Sequence, residues 1–181
     1  MQVYLKKHAP GVAVHSIKVE WNFLNSEFQC SFTVQKRDGG PWLSNESFTS
    51  DWSKNWGLWN TDVVEAFLQL RRAPEDLKAP YLEIQVSPLN QPFALIITEP
   101  RKKFASPSKL DLTHEVRLEG RSWKVDLKVT LPEELVGSEI YGGFFACLDQ
   151  DPREYYALEP NPEMNPDFHR PEFFLPLKIH E

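Results

Sequence analysis

No apolar run in this 181-residue chain approaches the roughly 20 residues that a bilayer-spanning helix needs. Cysteine is nearly absent: Cys30 and Cys147 permit one bridge at most, which excludes a disulfide framework. Both lie among apolar residues and read as buried thiols. There is no basic excess, since the formal net charge is −6, and this argues against nucleic acid or an anionic membrane surface as a partner. Glycine is sparse, at eight residues, and none of them builds a phosphate-cradling loop. The histidines are scattered, with no His-x-x-x-His or Cys-x-x-Cys spacing, and no Ser–His–Asp arrangement follows from position. Lys6, Lys7 and His8 have no apolar stretch after them, so no secretory signal is expected and a cytoplasmic location is the default.

What the chain does have is 15 prolines and 13% aromatic residues, the composition of a β-rich domain with stiff connections. Its 41% hydrophobic and 25% charged residues make it globular and large enough for one domain with its own core. Ile17, Val19, Trp21 and Phe23 alternate with Lys18, Glu20 and Asn22. After a turn at Asn25–Ser26, Phe28, Cys30, Phe32 and Val34 repeat the period of two, which predicts a β-hairpin. Further strands are expected at 60–70, 81–88, 92–98, 111–118, 123–131, 141–148 and 154–158, with a closing strand at 173–179. Residues 131–135 fit one helical turn with proline near its start, and Gly142–Gly143 marks a bulge or close packing. Nine or ten strands and no long amphipathic helix predict an all-β fold, an antiparallel β-sandwich of jelly-roll or immunoglobulin-like type.

The stretch 56–68 draws the rest together. It begins as an aromatic, glycine-broken loop and becomes a strand. If extended, it sets Trp59, Val63, Glu65 and Phe67 on one face, and Asp62, Val64, Ala66 and Leu68 on the other. An indole plane beside a carboxylate suits a sugar, with the ring for its C–H groups and the acceptor for a hydroxyl. The alternative is a core tryptophan and a solvated glutamate. Short connections make the strands at 60–70, 81–88 and 92–98 antiparallel neighbours, which would put Trp59, Glu65, Glu83 and Gln85 on one continuous face with Arg101 near its rim. Residues 42–59 hold Trp42, Trp52, Trp56 and Trp59 in a long polar loop, which either forms a site or plugs one end of the sandwich.

Other chemistries are weaker in this sequence. Glu65 and Glu83 could form a glycosidase pair, which needs about 5–9 Å between carboxyls, but nothing else marks a catalytic pocket and no enzyme is expected. Asp149, Asp151 and Glu154 form an acidic cluster open to calcium, without the spacing of a defined loop. Met164 and His169 could ligate a haem only by awkward geometry; a solvated Met164 and a hydrogen-bonded, structural His169 fit better. No cofactor is therefore expected.

The run Leu58-Trp59-x-x-Asp62-Val63-Val64-Glu65-x-Phe67-Leu68, followed by Tyr81-x-Glu83-x-x-x-Ser87-Pro88, resembles the DOMON-like proteins related to family 9 carbohydrate-binding modules. Tyr155-Tyr156-Ala157-Leu158 and Pro166-Asp167-Phe168-His169-Arg170 are similar to the tail motif of the small, free-standing bacterial members. The resemblance spans roughly 12–179 and implies a β-sandwich, with sugar binding in some relatives and haem binding in another branch. It implies that Trp59 is the first sugar-clamping aromatic, Glu65 the carboxylate and Arg101 the arginine. Tyr156 stands where the small members usually carry Trp, and with Glu83 and Gln85 it would line the site. The expectation is a non-catalytic carbohydrate-binding protein. The alternatives are a structural or protein-interaction sandwich that has lost sugar binding, and a haem carrier.

Overall fold

Alternating side chains along the strands are sorted into two stacked layers. The computed structural model describes residues 1–8, 13–24, 27–37, 40–163 and 166–177. Its strands are β1 (Gln2–Tyr4), β2 (Lys6–Lys7), β3 (His15–Leu24), β4 (Glu27–Lys36), β5 (Val63–Arg71), β6 (Tyr81–Val86) and β7 (Pro92–Glu99). They continue as β8 (Lys103–Ala105), β9 (Asp111–Glu119), β10 (Ser122–Thr130), β11 (Glu139–Leu148), β12 (Glu154–Ala157) and β13 (Leu175–Pro176). One sheet has the order β1-β3-β4-β10-β9; the other runs β2-β12-β11-β5-β6-β7-β8, with β13 added to β11. Every pairing is antiparallel, so the fold is the β-sandwich that the alternation predicts. The strands beyond those expected, β1, β2 and β8, are pieces of two or three residues.

Phe144 sits at the centre of the inter-sheet core, with its ring 5.0 Å from Trp21, 6.2 Å from Phe28 and 5.9 Å from Phe32. Val64, Ala66 and Leu68 of β5 and Leu82 and Ile84 of β6 fill the same layer. The other parity of these strands is also covered. Val63, Phe67, Tyr81, Phe93 and Phe145 form a second apolar cluster on the outer face, packed by Phe48, Phe168 and Phe174. Burial on both faces explains why β6 has no exposed residue at all. Gly142 and Gly143 reflect close packing. A Cβ on Gly142 would stand 2.6 Å from the carbonyl oxygen of Phe67, and one on Gly143 would stand 2.4 Å from the Phe145 ring.

The tryptophan-rich loop divides its indoles between the two apolar layers. Trp42 and Trp52 pack on the inter-sheet core, Trp42 edge-on to Trp123 at 5.4 Å, while Trp59 joins the outer cluster. A buried charge network ties this loop down. The Asp62 carboxylate accepts the Leu43 N–H at 2.9 Å and the Asp149 N–H at 2.7 Å. The Lys36 ammonium lies 2.6 Å from Asp149 and 3.4 Å from Asp62, and donates to the Pro41 carbonyl at 2.9 Å. Two connections differ from expectation. Residues 131–135 form a turn, closed by the Leu135 N–H on the Pro132 carbonyl at 3.0 Å, and not a helical element. The expected closing strand becomes a 3₁₀ turn, Pro171–Phe173, and the two-residue β13, because the chain must first cross the outer face of the second sheet. The Asn25–Ser26 turn and the end of that closing strand lie outside the described residues.

Candidate functional site

β5 and β6 place the site. Glu65 pairs in register with Gln85, and Phe67 with Glu83, so Glu65 and Glu83 are diagonal neighbours on one face, about 7–8 Å apart along such a sheet. That face is the outer one, and it floors a cavity of about 590 Å³. Glu65, Glu83, Gln85, Leu95, Ile97 and Cys147 make the floor. Trp56 and Trp59 come from the loop, Arg101 and Phe104 from around the start of β8, and Tyr155, Phe168 and His169 from β12 and the C-terminal segment.

Trp59 is not on the strand. It lies in the 3₁₀ turn Leu58–Asn60, entered through Gly57 at φ 91°, a left-handed conformation that favours glycine. The turn folds the indole back over the strand, so Trp59 and Glu65 meet at the same cavity by a different route from shared strand parity. The Trp59 ring lies 5.0 Å from Trp56, and Trp56 lies 5.1 Å from Phe104 at 31°, giving an aromatic lip that is half open to solvent. Arg153 fixes the turn by donating to the carbonyls of Trp59 at 2.8 Å, Thr61 at 2.6 Å and Asp149 at 2.7 Å. Arg101 stands on the rim with its guanidinium 2.8 Å from Asp167.

The two glutamates are buried, not solvated, at 3% and 4% exposure. Burial pushes the Glu83 carboxyl up to about 7, only partly offset by the Gln85 amide N–H that donates to it at 2.7 Å. Glu65 is driven well above the ordinary carboxylate range by burial and then by the neighbouring Glu83, with Arg153 pulling it back in part. Among the described residues, Glu65 receives only a 4.0 Å contact from the Cys147 thiol. That thiol is itself held protonated by burial and by Glu65. His169 shares a 2.8 Å hydrogen bond with the Tyr81 hydroxyl through Nδ1, and its Nε2 lies 4.0 Å from Glu83. Burial keeps its imidazole below the ordinary histidine range. Gln85 commits an Nε2–H to Glu83, and its Oε1 is buried without a partner among the described residues.

The structure thus brings Trp59, Glu65, Glu83, Gln85 and Arg101 together. It does not bring Tyr156. That ring is fully buried in the inter-sheet core, where its hydroxyl donates to Glu154 and accepts the His15 N–H at 3.1 Å. Its neighbour Tyr155 has the opposite parity and pairs with Cys147, so Tyr155 lines the cavity. Tyr156→Phe is accordingly expected to cost about 1–2 kcal/mol in urea denaturation, by orphaning the His15 N–H, and to leave ligand binding at this cavity unchanged. A loss of binding at unchanged stability would reverse the assignment.

Trp56, Phe104, Tyr155, Phe168 and Arg153 were not singled out as site residues from sequence. Parity on β12 carries a signal for Tyr155, but two adjacent tyrosines make it ambiguous; nothing local marks Arg153. Two members of the acidic cluster are engaged: Asp149 bonds to Lys36 and His15, and Glu154 to Lys7 and Tyr156. Among the described residues no three His, Cys, Asp or Glu side chains are grouped to hold a metal ion. His169 is the hydrogen-bonded residue expected, and Met164 lies outside the described residues. A wider concavity of about 850 Å³ crosses the outer face of the other sheet. Its charged side chains are ion-paired with residues beside it: Lys128 with Glu27 at 2.6 Å, Asp126 with Arg117 at 2.8 Å, Glu115 with Arg117 at 3.0 Å and Glu20 with Lys18 at 2.8 Å.

The antiparallel β-sandwich has counterparts among solved structures. A family 9 carbohydrate-binding module from Caldicellulosiruptor kristjanssonii, solved with glucose, superposes with a TM-score of 0.61 over 97% of this chain and 84% of that one. The same kind of module from that organism, solved with cellotriose, gives 0.60 over 97% and 82%. At 14% identity in both cases, the likeness is one of fold. In sequence, the chain is similar to the UPF0462 protein C4orf33 homolog of Rattus norvegicus, 31% identical over 131 residues, covering 68% of this chain and 61% of that protein. The Mus musculus homolog is 28% identical over 129 residues, covering 68% and 64%. The chain thus spans less than two thirds of the length of the curated relatives it matches. No family model matches it. No helix among the described residues is long and apolar enough to cross a membrane.

Proposed function

We propose that this protein is a non-catalytic carbohydrate-binding protein whose ligand sits in the cavity on the outer face of the second sheet. Trp59 supplies the apolar plane, Glu65 hydrogen-bonds a hydroxyl from the floor, and Arg101 does so from the rim. Glu83 and Gln85 complete the polar floor. The observation that carries this reading is the convergence in one cavity of an aromatic lip, two buried carboxyls and a buried acceptor, Gln85 Oε1, that has no partner among the described residues. A volume of about 590 Å³ suits one or two sugar rings. The fold neighbours, solved with glucose and cellotriose, support the same class of ligand.

Tryptophan fluorescence and thermal shift, read against a panel that includes glucose and cellotriose, test it. A responding sugar should raise the melting temperature of the protein. Trp59→Ala should then weaken binding at least about tenfold, as loss of a stacking plane does. Glu65→Gln should also weaken it. Silence across a broad mono- and oligosaccharide panel, in both measurements, would sink the reading and leave a sandwich in which these residues serve only packing.

A further inference from the structure

The floor of the cavity has an unusual charge arrangement. Glu65 and Glu83 are both buried, are diagonal neighbours, and lie within 4.0 Å of no lysine or arginine among the described residues. The arginines at the cavity are committed elsewhere: Arg153 to three backbone carbonyls, and Arg101 to Asp167. The remaining titratable groups facing the pair are Tyr81 on β6, Cys147 on β11, Tyr155 on β12, and Asp167 and His169 on the C-terminal segment. None of these supplies a fixed positive charge. Two buried carboxyls with no directly paired cation are costly, and a site of this kind is a candidate for completion by a ligand. Gln85 is an independent sign. It is 2% exposed, its amide N–H₂ points to Glu83, and its Oε1 is left as an acceptor without a partner beside the same floor.

A neutral hydroxyl would satisfy one or two of these acceptors but would bring no compensating charge, so the carboxyls would have to stay protonated. An ammonium group has three donors and a positive charge. Placed at the floor, it could donate to Glu65, Glu83 and Gln85 Oε1 at once, and would allow both carboxyls to ionise. Such charge-assisted bonds are about twice as strong as neutral ones. The aromatic lip of Trp59 and Trp56 favours a cation for a separate reason, the negative face of an indole.

We infer that the ligand of this cavity carries a free ammonium group seated on Glu65, Glu83 and Gln85: within the carbohydrate reading, on which this rests, an amino sugar. Calorimetric titration of the full chain at pH 7 tests it, with glucosamine, galactosamine and mannosamine each set against its parent hexose and its N-acetyl derivative. At least one free amino sugar should bind about tenfold more tightly than its parent hexose, and acetylation, which removes the charge, should abolish the gain. Glu83→Gln should bring the ratio of amino sugar to hexose affinity towards one. Glu65→Gln is the second variant, and each is compared only where its melting transition is intact. Binding of hexoses with no amino sugar favoured would overturn the inference and leave the carbohydrate reading standing. A preference that survives both substitutions would overturn the proposed seat. No binding by any of the sugars would remove both readings together.

Discussion

Asp62→Ala is expected to destabilise the protein by about 3–5 kcal/mol, the range for breaking a buried, hydrogen-bonded charge cluster from one side. Asp62 is fully buried and has three partners that no other group replaces. Its carboxylate receives the Leu43 N–H at 2.9 Å and the Asp149 N–H at 2.7 Å, and faces the Lys36 ammonium at 3.4 Å. Alanine orphans two buried donors and leaves Lys36 to Asp149 and Pro41 alone. Burial already pushes the Asp62 carboxyl up against the pull of Leu43, Lys36 and Asp149, so these bonds are what hold it in place. Asp62→Asn keeps one carbonyl acceptor of similar shape and should lose roughly half as much. Urea denaturation followed by circular dichroism measures both. A cost below about 1 kcal/mol for alanine would mean that water replaces the carboxylate and that the network is not the clasp between the tryptophan-rich loop and β11.

The second large effect is a pH dependence that Glu83 imposes. Its folded carboxyl titrates at about 7, against an ordinary value of 4.5. Between those values the folded state holds a proton that the unfolded chain has released, so the unfolded state binds fewer protons and stability falls as pH rises. The contribution is fully present below about pH 4.5 and is lost as pH rises through 7, a change on the order of 3 kcal/mol. Glu65, held well above the ordinary carboxylate range by burial and then by Glu83, contributes a slope of the same sign. His169 works the other way. Its imidazole is held below 6.5 by burial, so it withdraws stability as pH falls through that region. The informative quantity is therefore wild type minus Glu83→Gln, in which the histidine contribution largely cancels. From urea denaturation at pH values between 4.5 and 7.5, that difference should move steadily against the wild type. Parallel curves would show that Glu83 ionises freely in the folded protein, and would also weaken the case for an ammonium at the cavity floor.

Much of this was legible in the sequence because side-chain parity is a local property. The alternation at Ile17–Val19–Trp21 and at Phe28–Cys30–Phe32 places those residues in the inter-sheet core without any knowledge of the partner sheet. The same counting put Glu65, Glu83 and Gln85 on one face, since β5, β6 and β7 are joined by short connections and pair in order. Parity does not carry through a segment that is not a strand. Trp59 reached the cavity through a 3₁₀ turn. Tyr156, one position from Tyr155, went to the core instead of the site.

By itself, then, the sequence determined the antiparallel sandwich, its nine longer strands and the face that carries Glu65, Glu83 and Gln85. Only the tertiary structure decided that this face is covered. Phe168 and His169, about a hundred residues further along the chain than Glu65, and Trp56 and Trp59 from the loop before β5, wall the cavity around the two glutamates and leave them 3% and 4% exposed at its floor. The physical reason is one of range. Pleat geometry fixes where a side chain points from its nearest neighbours in sequence, whereas desolvation depends on every segment that packs nearby. It is that desolvation which turns two ordinary-looking glutamates into carboxyls with raised proton affinity.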